Sequence, residues 1–254
     1  MQLRIEMRFV RHLGLVLGIL AFASPVAVLA QDQAEWKTID AASLDDWSDA
    51  GDWWKVEDGM FVADSPGGNN LPAVHYLVWD GSIEGDFELA LEYRIQAEQP
   101  RDAGVNFRVE RPFEEAPNLP GYQAELDTAN LYAQNRAQRQ GKLFGNIHDG
   151  KRGRMFQRSK KITIAEDGTE TEEALRPQFR APRVFRQPPE WNSVLIRVRG
   201  DHIQLYLNDV LANEIIDHDA KNKSTGDGIA LQFRPRDKYR FEVKGLKYRQ
   251  LTSD

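Results

Sequence analysis

Apolar and polar residues alternate along much of the chain, and this pattern predicts half-buried β-strands. In residues 87–95, every second residue is apolar, and most residues between them are charged. Successive side chains of a strand point to opposite faces, so this segment is expected to cover a core with one face. No span of twelve residues has the 3.6-residue apolar period of an amphipathic helix. The same two-residue period recurs in residues 105–109, 194–198, 203–207, 229–233 and 241–243.

Turn signals separate these segments. Asp58-Gly59 lies between two short alternating runs and predicts a hairpin, and Asn208-Asp209 follows another predicted strand. Many short strands joined by turns are typical of two antiparallel sheets packed face to face. Six tryptophans and twelve phenylalanines can supply the core between such sheets. The predicted fold class is therefore all-β, a sandwich of two antiparallel sheets.

Residues 127–189 break the pattern, because they are rich in Arg, Gln, Lys and Gly and contain few apolar pairs. We expect this stretch to be mostly loop. A connection of this length in a compact domain is usually either functional or disordered. Residues 127–155 are predicted to form ordered loops over one sheet, and residues 165–186 to be looser.

The amino-terminal segment predicts export. Three arginines precede an apolar run of eleven residues at 13–23, and small residues lead up to Ala30. This is the pattern of a signal peptide over residues 1–30, cleaved after Ala30. The apolar run is far shorter than the roughly 20 residues that a membrane-spanning helix needs. Residues 31–254 are thus expected to form a single exported domain with no membrane span.

Composition narrows the possible functions. The net charge is −6, and removal of the predicted signal peptide would make it −8, which disfavours nucleic acid as a partner. Without cysteine, the chain has no disulfide, no thiolate nucleophile and no Cys-ligated zinc. No Gly-x-Ser-x-Gly motif is present, which disfavours a serine nucleophile. An exported chain without cysteine fits a bacterial periplasm or cell surface.

Two carboxylates are predicted to stand on one face of a strand in residues 121–127. The alternation puts Gln123, Glu125 and Asp127 on that face. Same-face neighbours lie roughly 6.5–7 Å apart along a strand, so two negative charges there raise the pKa of one group. Such a difference separates acid and base roles. A solvated outer sheet face explains the same pattern equally well.

Two further strands carry a polar face of the same kind. One is predicted to present Asn106, Arg108 and Glu110, and the other Gln232 and Arg234. Rows of amides, guanidinium groups and carboxylates provide the donors and acceptors that sugar hydroxyl groups need. The pattern therefore favours carbohydrate as the partner.

A glycine-rich loop at residues 141–154 contains His148, Asp149 and Arg152. Histidine is the usual general acid or base near neutral pH, although the His-Asp pair taken alone favours an exposed basic loop. Asp149 could also join Glu125 and Asp127 around a divalent metal ion if the loop folds over the strand. No metal-binding motif supports that ion, so the metal ligands stay unknown.

Six short segments follow one another in a fixed order along the chain. They are Gly104-Val105-Asn106-Phe107-Arg108, Gly121-Tyr122-Gln123-Ala124-Glu125, Leu143-Phe144-Gly145 with His148-Asp149, Trp191-Asn192, Leu205-Tyr206-Leu207-Asn208 and Gly228-Ile229-Ala230-Leu231-Gln232. In this order they resemble a known family, the 3-keto-disaccharide hydrolase domain, also called domain of unknown function 1080. The resemblance covers nearly all of residues 31–254. It implies a concanavalin A-like jelly roll, as in many lectins and laminarinase-type glycosidases, and an activity on 3-keto-glycosides.

The resemblance also assigns site positions, and the chain departs from the family pattern at two places. The family's Gly-Asn-Ser-Gly before the first polar strand is Arg101-Asp102-Ala103-Gly104 here, and a frequent His is replaced by Arg234. The second change could alter substrate contacts or remove a metal ligand. The positions carried over are Arg108, Gln123, Glu125 and Asp149, with Asp127, His148, Arg152 and Gln232 close by.

A mechanism follows from the chemistry of the ketone. A C3 ketone acidifies the hydrogen at C2, so the C1 substituent can leave by elimination, and water then adds back. In this hypothesis Glu125 is the base at C2, Arg108 or a bound cation stabilises the C3 enolate, and Asp149 or His148 protonates the leaving oxygen. The residues expected to bind substrate are Asn106, Gln123, Asp127, Arg152, Gln232 and Arg234.

Three alternatives stay open at this point. The first is a non-catalytic, lectin-like carbohydrate-binding module, because a fold does not determine a function. The second is a structural interaction domain with a solvated sheet face. The third, an ordinary glycosidase with two carboxylates of the laminarinase pattern, ranks lowest because that pattern needs a Glu at position 129, which is Ala.

Overall fold

Two β-sheets contain nearly all the regular structure in the computed structural model of this protein. The structure describes residues 34–98, 101–111, 118–128 and 143–252. The predicted signal peptide, residues 1–30, lies outside the described residues, so export stays a prediction. No helix within the described ranges has the length and apolar character needed to cross a membrane.

Seventeen strands and one short helix lie in the described residues. In chain order they are β1 (Lys37–Thr38), β2 (Trp47–Ser48), β3 (Trp54–Glu57), β4 (Met60–Ser65), β5 (His75–Trp79), β6 (Phe87–Gln96), β7 (Gly104–Val109), β8 (Tyr122–Glu125), β9 (Ile147–Asp149), β10 (Arg154–Phe156), β11 (Lys160–Ile164), β12 (Glu170–Ala174), α1 (Ala181–Val184), β13 (Asn192–Arg199), β14 (His202–Leu207), β15 (Val210–Asp217), β16 (Gly228–Phe233) and β17 (Tyr239–Gln250).

The strands form a larger and a smaller sheet. The larger sheet has the order β12-β11-β15-β14-β13-β6-β17-β4-β3, with β1 also paired to β17. The smaller sheet has the order β10-β9-β8-β7-β16-β5-β2. The described pairs are antiparallel except β11 and β15, which run parallel. This arrangement confirms the predicted all-β sandwich and adds one parallel pair to it.

The core lies between the sheets and follows the predicted alternation. The alternating apolar residues of β6, from Phe87 to Ile95, are at most 3% exposed, as are Ile229, Leu231 and Phe233 of β16, so both strands cover the core with the predicted face. Trp54 of the larger sheet contacts Phe233 of the smaller sheet with ring centroids 6.0 Å apart. Aromatic contacts across the interface add to the hydrophobic burial that holds sheet on sheet.

Both predicted tight turns are present. Asp58 and Gly59 have φ of 50° and 71°, and Asn208 and Asp209 have φ of 48° and 65°. Two successive residues with positive φ are typical of the type I′ turn, whose twist matches that of a hairpin. These turns join β3 to β4 and β14 to β15.

The prediction of loose structure for residues 165–186 is wrong. This segment contains β12, which pairs with β11, and the helix α1. Ile162 and Ile164 are buried and anchor β11 beside β15, and Gly168 provides the turn with φ of 83°. Because β12 is an edge strand with mostly exposed side chains, its sequence carries no apolar alternation. Of the loops predicted over residues 127–155, residues 129–142 lie outside the described part.

A buried cluster around Arg152 connects the two sheets. Arg152 lies in the turn between β9 and β10 of the smaller sheet, and its guanidinium donates to Asp149 at 2.6 Å. It also donates to Asp217, at the end of β15 of the larger sheet, at 2.8 and 3.0 Å, and to Asp219 at 3.3 Å. The hydroxyl of Tyr122 donates to Asp217 at 2.6 Å. The cluster therefore links the two sheets at one end of the sandwich.

Replacement of Arg152 should destabilise the fold. Arg152→Met would leave the buried carboxylates of Asp149, Asp217 and Asp219 without their cation, and removal of one partner of a buried ion pair costs about 3–5 kcal/mol. Urea unfolding measures the loss. As a control, Arg154→Ala removes an exposed partner of Glu170 and should cost under about 1 kcal/mol. Equal stability of the two variants would contradict the structural role.

Candidate active site

The outer face of the smaller sheet carries two adjacent rows of side chains, set by the register of its strands. Neighbouring strands lie about 4.7–4.9 Å apart, so side chains in one row are in contact range. The first row runs through Tyr76, Gln232, Gly104 and Glu125. The second row runs through Val78, Ala230, Asn106, Gln123, His148 and Met155.

The polar members of these rows are buried and joined by hydrogen bonds. The amide of Asn106 donates to Gln123 Oε1 at 3.2 Å, and the amide of Gln123 donates to Glu125 Oε1 at 3.1 Å. With Gln232, these side chains are no more than 6% exposed. A Cβ atom at Gly104 would lie 2.7 Å from the side chain of Gln123. Glycine at this position therefore gives Gln123 the space to reach Glu125.

Four buried oxygens in and beside this cluster have no hydrogen-bond donor among the described residues. They are Oδ1 of Asn106, Oε2 of Glu125, Oε1 of Gln232 and Oδ1 of Asp102. An unsatisfied buried acceptor costs roughly 1–3 kcal/mol. The arrangement therefore suits a ligand that brings several donors, such as hydroxyl groups.

These side chains border a cleft of about 260 Å³. Pockets for drug-sized ligands span roughly 300–1,000 Å³, so this volume suits a small ligand. A second cleft, of about 340 Å³, is larger, but two of its buried hydroxyl groups, those of Ser65 and Tyr239, already donate to backbone carbonyls. The first cleft is lined by Ala73, Val74, Tyr76, Asn118, Gln123, Glu125, Leu143, His148, Met155, Gln232 and Arg234.

A second carboxyl group lies against Glu125. The side chain of Asp102, just before β7, is within hydrogen-bonding reach of Glu125, and Arg234 Nε donates to Asp102 Oδ2 at 2.6 Å. Burial and the charge of Asp102 raise the pKa of Glu125 well above its ordinary value. This shift favours the protonated form of Glu125. Sequence analysis noted Asp102 as a departure from the family pattern and missed it as a site residue.

His148 lies on the same face as Gln123 and opposite it on β9. Its side chain is half-buried at the edge of the cleft. Burial lowers the pKa of His148 below the ordinary histidine value, although the charges of Asp149 and Asp102 oppose this shift. The imidazole is thus neutral at neutral pH and can accept a proton.

Asp127 follows the end of β8 and does not line the cleft. Its carboxylate accepts a hydrogen bond from the backbone N–H of Leu143 at 3.2 Å. Burial raises the pKa of Asp127 to about 7. The structure thus brings together Asn106, Gln123, Glu125, His148, Gln232 and Arg234, and leaves Asp127 beside them.

The predicted direction of Arg108 is wrong. Its backbone has φ of 50°, and the pairing with β16 shifts between Gly228 and Ala230. This irregularity reverses the alternation, so that Val109 packs on the outer face with Ala230. The guanidinium of Arg108 donates instead to the carbonyl of Gly200, in a turn of the larger sheet, at 3.0 Å.

Asp149 and Arg152 also lie away from the cleft. Since His148 takes the outer face of β9, Asp149 takes the inner face, where it is fully buried in the Arg152 cluster. The predicted convergence of Glu125, Asp127 and Asp149 on a divalent ion is therefore not formed. Across the ranges that the structure describes, no three carboxylate or imidazole side chains are grouped to hold a metal ion.

Solved structures support the fold. The chain is similar to a candidate glycosyl hydrolase from Parabacteroides distasonis, with 18% identity and a TM-score of 0.53, over 85% of this chain and 100% of the other. It is also similar, with a TM-score of 0.49 and 8% identity, to a protein of unknown function with a galectin-like fold from Bacillus subtilis, over 85% and 89% of the chains.

The carbohydrate-binding module CBM66 from Bacillus subtilis gives a TM-score of 0.45 with 14% identity, over 86% of this chain and 98% of the other. No curated protein matches the chain. A family model provides the decisive comparison. The model of the 3-keto-alpha-glucoside-1,2-lyase-like domain matches residues 35–248, which include the whole cleft. This chain belongs to that family, the 3-keto-disaccharide hydrolase domain family.

Proposed function

We propose that this protein cleaves 3-keto-glycosides by elimination and hydration in the cleft beside Glu125. The observation that supports this proposal is the pair of buried acceptor oxygens on Asn106 and Gln232 that have no donor among the described residues. The hydroxyl groups of a sugar ring are donors of the required kind and number. The cleft of about 260 Å³ suits one sugar unit bound deeply, with the leaving group toward solvent.

His148 is the base in this proposal. Because its pKa is lowered, the imidazole is neutral and can remove the proton from C2 of the bound keto-sugar. The electron pair of the C2–H bond forms a C2=C3 bond, and negative charge develops on the C3 oxygen. Arg234, whose guanidinium lines the cleft, stabilises that charge.

Glu125 is the acid. The enolate re-forms the C3 carbonyl while a C1=C2 double bond forms and the C1–O bond breaks. The proton of Glu125 passes to the leaving oxygen, so the leaving group departs as an alcohol. Water then adds at C1 and gives a proton to Glu125, and the imidazolium of His148 returns its proton to C2. The sum is a hydrolysis without net oxidation.

These roles reverse the hypothesis drawn from the sequence, in which Glu125 was the base. Two groups in one cleft have pKa shifts that favour the reversed roles: the raised pKa of Glu125 makes it an acid, and the lowered pKa of His148 makes it a base. Arg108 and Asp149 have no part in this version, because their side chains point toward the larger sheet.

The alternative is a lectin-like module that binds sugar without cleaving it. The unsatisfied acceptors support that function as well, but a binding module has no need for a protonated carboxyl group beside a neutral imidazole. We further propose that the protein is exported and meets its substrate in a bacterial periplasm or at the cell surface.

Glu125→Gln should lower turnover by about 10²–10⁴-fold, because the amide cannot supply the proton. Its melting temperature should change little, since glutamine can still accept the hydrogen bond from Gln123. Steady-state kinetics on a 3-keto-disaccharide measure the loss. Glu110→Gln is the matched control, because Glu110 pairs with Lys151 at the surface. Wild-type turnover in Glu125→Gln would exclude the assignment.

The pH profile of kcat/KM should be broad. The acid limb reports protonation of His148 and should lie below the ordinary histidine pKa of about 6.5. The alkaline limb reports loss of the Glu125 proton and should lie well above the ordinary glutamate range. His148→Asn should abolish the acid limb and cost about 10²–10⁴-fold. His202→Asn, at the partly exposed pair with Glu214, should leave the profile unchanged.

A substrate panel separates enzyme from binding module. The purified protein should release free sugar from 3-keto-sucrose or 3-keto-trehalose and leave unoxidised sucrose and trehalose intact, because only the ketone acidifies C2. Each reaction is run with and without a chelator, which tests metal dependence in the same assay. Glycan binding with no release from any keto-sugar would favour the lectin-like alternative.

A further inference from the structure

Asp102 and Arg234 are bonded to each other beside the cleft. Arg234 Nε donates to Asp102 Oδ2 at 2.6 Å, although 132 residues separate them. The carboxylate is 15% exposed and the guanidinium 36% exposed. The ion pair therefore joins the segment before β7 to the end of β16 beside the cleft.

One hydroxyl group holds the backbones of both residues. The hydroxyl of Tyr239 donates to the carbonyl oxygen of Asp102 at 2.7 Å and accepts a hydrogen bond from the backbone N–H of Arg234 at 2.9 Å. Tyr239 is buried against Phe233 in the core. The buried Tyr239 thus fixes the backbone positions of both residues of the ion pair.

Asp102 and Glu125 each keep one buried oxygen without a donor. These are Oδ1 of Asp102 and Oε2 of Glu125, and the two carboxyl groups are within hydrogen-bonding reach. Two ionised carboxylates repel each other and have no hydrogen to share. A single proton between the two groups removes the repulsion and links them by a hydrogen bond. This geometry therefore favours a single proton shared between the carboxyl groups of Asp102 and Glu125.

The surroundings of the pair decide which group carries this proton. Asp102 accepts from the cation Arg234, whereas the donor to Glu125 among the described residues is the neutral amide of Gln123. A neighbouring cation favours the ionised form of a carboxyl group more than an amide does. The shared proton is thus favoured on Glu125.

We infer that Asp102, bonded to Arg234, shares a proton with Glu125 and positions it for donation, so that the three side chains act as one proton-donating unit. This inference rests on the proposed function for the use of the proton, but not for its location. Glu125 is the residue that touches substrate in this role. Asp102 is a positioning residue, and Arg234 both holds it and borders the cleft.

The location of the proton can be tested without any substrate. Infrared spectra of wild type minus Glu125→Gln, recorded from acidic to alkaline pH, should contain the carbonyl band of a protonated carboxyl group at neutral pH. Asp102→Asn removes a negative neighbour and should lower the midpoint of that band by about one pH unit or more. Arg234→Gln removes a positive neighbour and should raise it, and Arg234→Lys should restore it.

The pH dependence of the kinetics should rank the variants in the same order as the infrared midpoints. The alkaline limb of kcat/KM should move to lower pH in Asp102→Asn and to higher pH in Arg234→Gln, whereas a purely structural role would change stability and leave the limb in place. Asp227→Asn is the charge-matched control, because it breaks the partly exposed pair with Arg111. Its limb and its infrared midpoint should equal those of wild type.

The outcomes distinguish the two proposals. If the infrared midpoints follow the predicted order and no keto-sugar is cleaved, the proton-sharing unit stands and the proposed function fails. If keto-sugars are cleaved but wild type lacks the Glu125 band at neutral pH, the inference is overturned and the function stands. An unchanged midpoint in folded Asp102→Asn also overturns it.

Discussion

Contact between two buried carboxyl groups is the interaction on which the chemistry of the cleft depends. Glu125 is held on β8 and Asp102 at the entry to β7, and the antiparallel pairing of these strands brings the two residues together. Burial strengthens the repulsion between the two carboxylates, because water would otherwise solvate both charges. The role of Glu125 thus depends on the strand register and on the residues that surround its side chain.

Much of the fold could be predicted because a strand with one buried face has a simple sequence pattern. The alternation in residues 87–95 reports the core face of β6 directly. Glu125 and Gln232 were correctly predicted on the polar face for the same reason. Where the backbone departs from the regular pleat, the pattern fails. Arg108 adopts a positive φ at an irregular pairing, and nothing in its neighbours along the chain signals that change.

The remaining site features depend on contacts between distant parts of the chain. Asp102 lies outside any alternating segment, and its contact with Arg234 depends on the pairing of β7 with β16. Asp149 belongs to a strand of three residues, too short to show a period, so its inward direction could not be read. The pKa shifts of Glu125 and His148 depend on burial, which a local pattern of residues does not measure.

Two clusters of arginine and carboxylate side chains have different roles in this domain. Around Arg152, the side-chain oxygens of Asp149 and Asp217 accept hydrogen bonds from the chain itself, so the cluster is complete and serves the fold. Beside the Arg234 pair, Oδ1 of Asn106 and Oε1 of Gln232 are buried and have no donor among the described residues. Completed clusters gain little from a ligand, whereas unsatisfied acceptors gain from any donor that fits. The two clusters contain the same types of residue. What distinguishes the structural cluster from the functional one in this protein is whether the hydrogen bonds are complete.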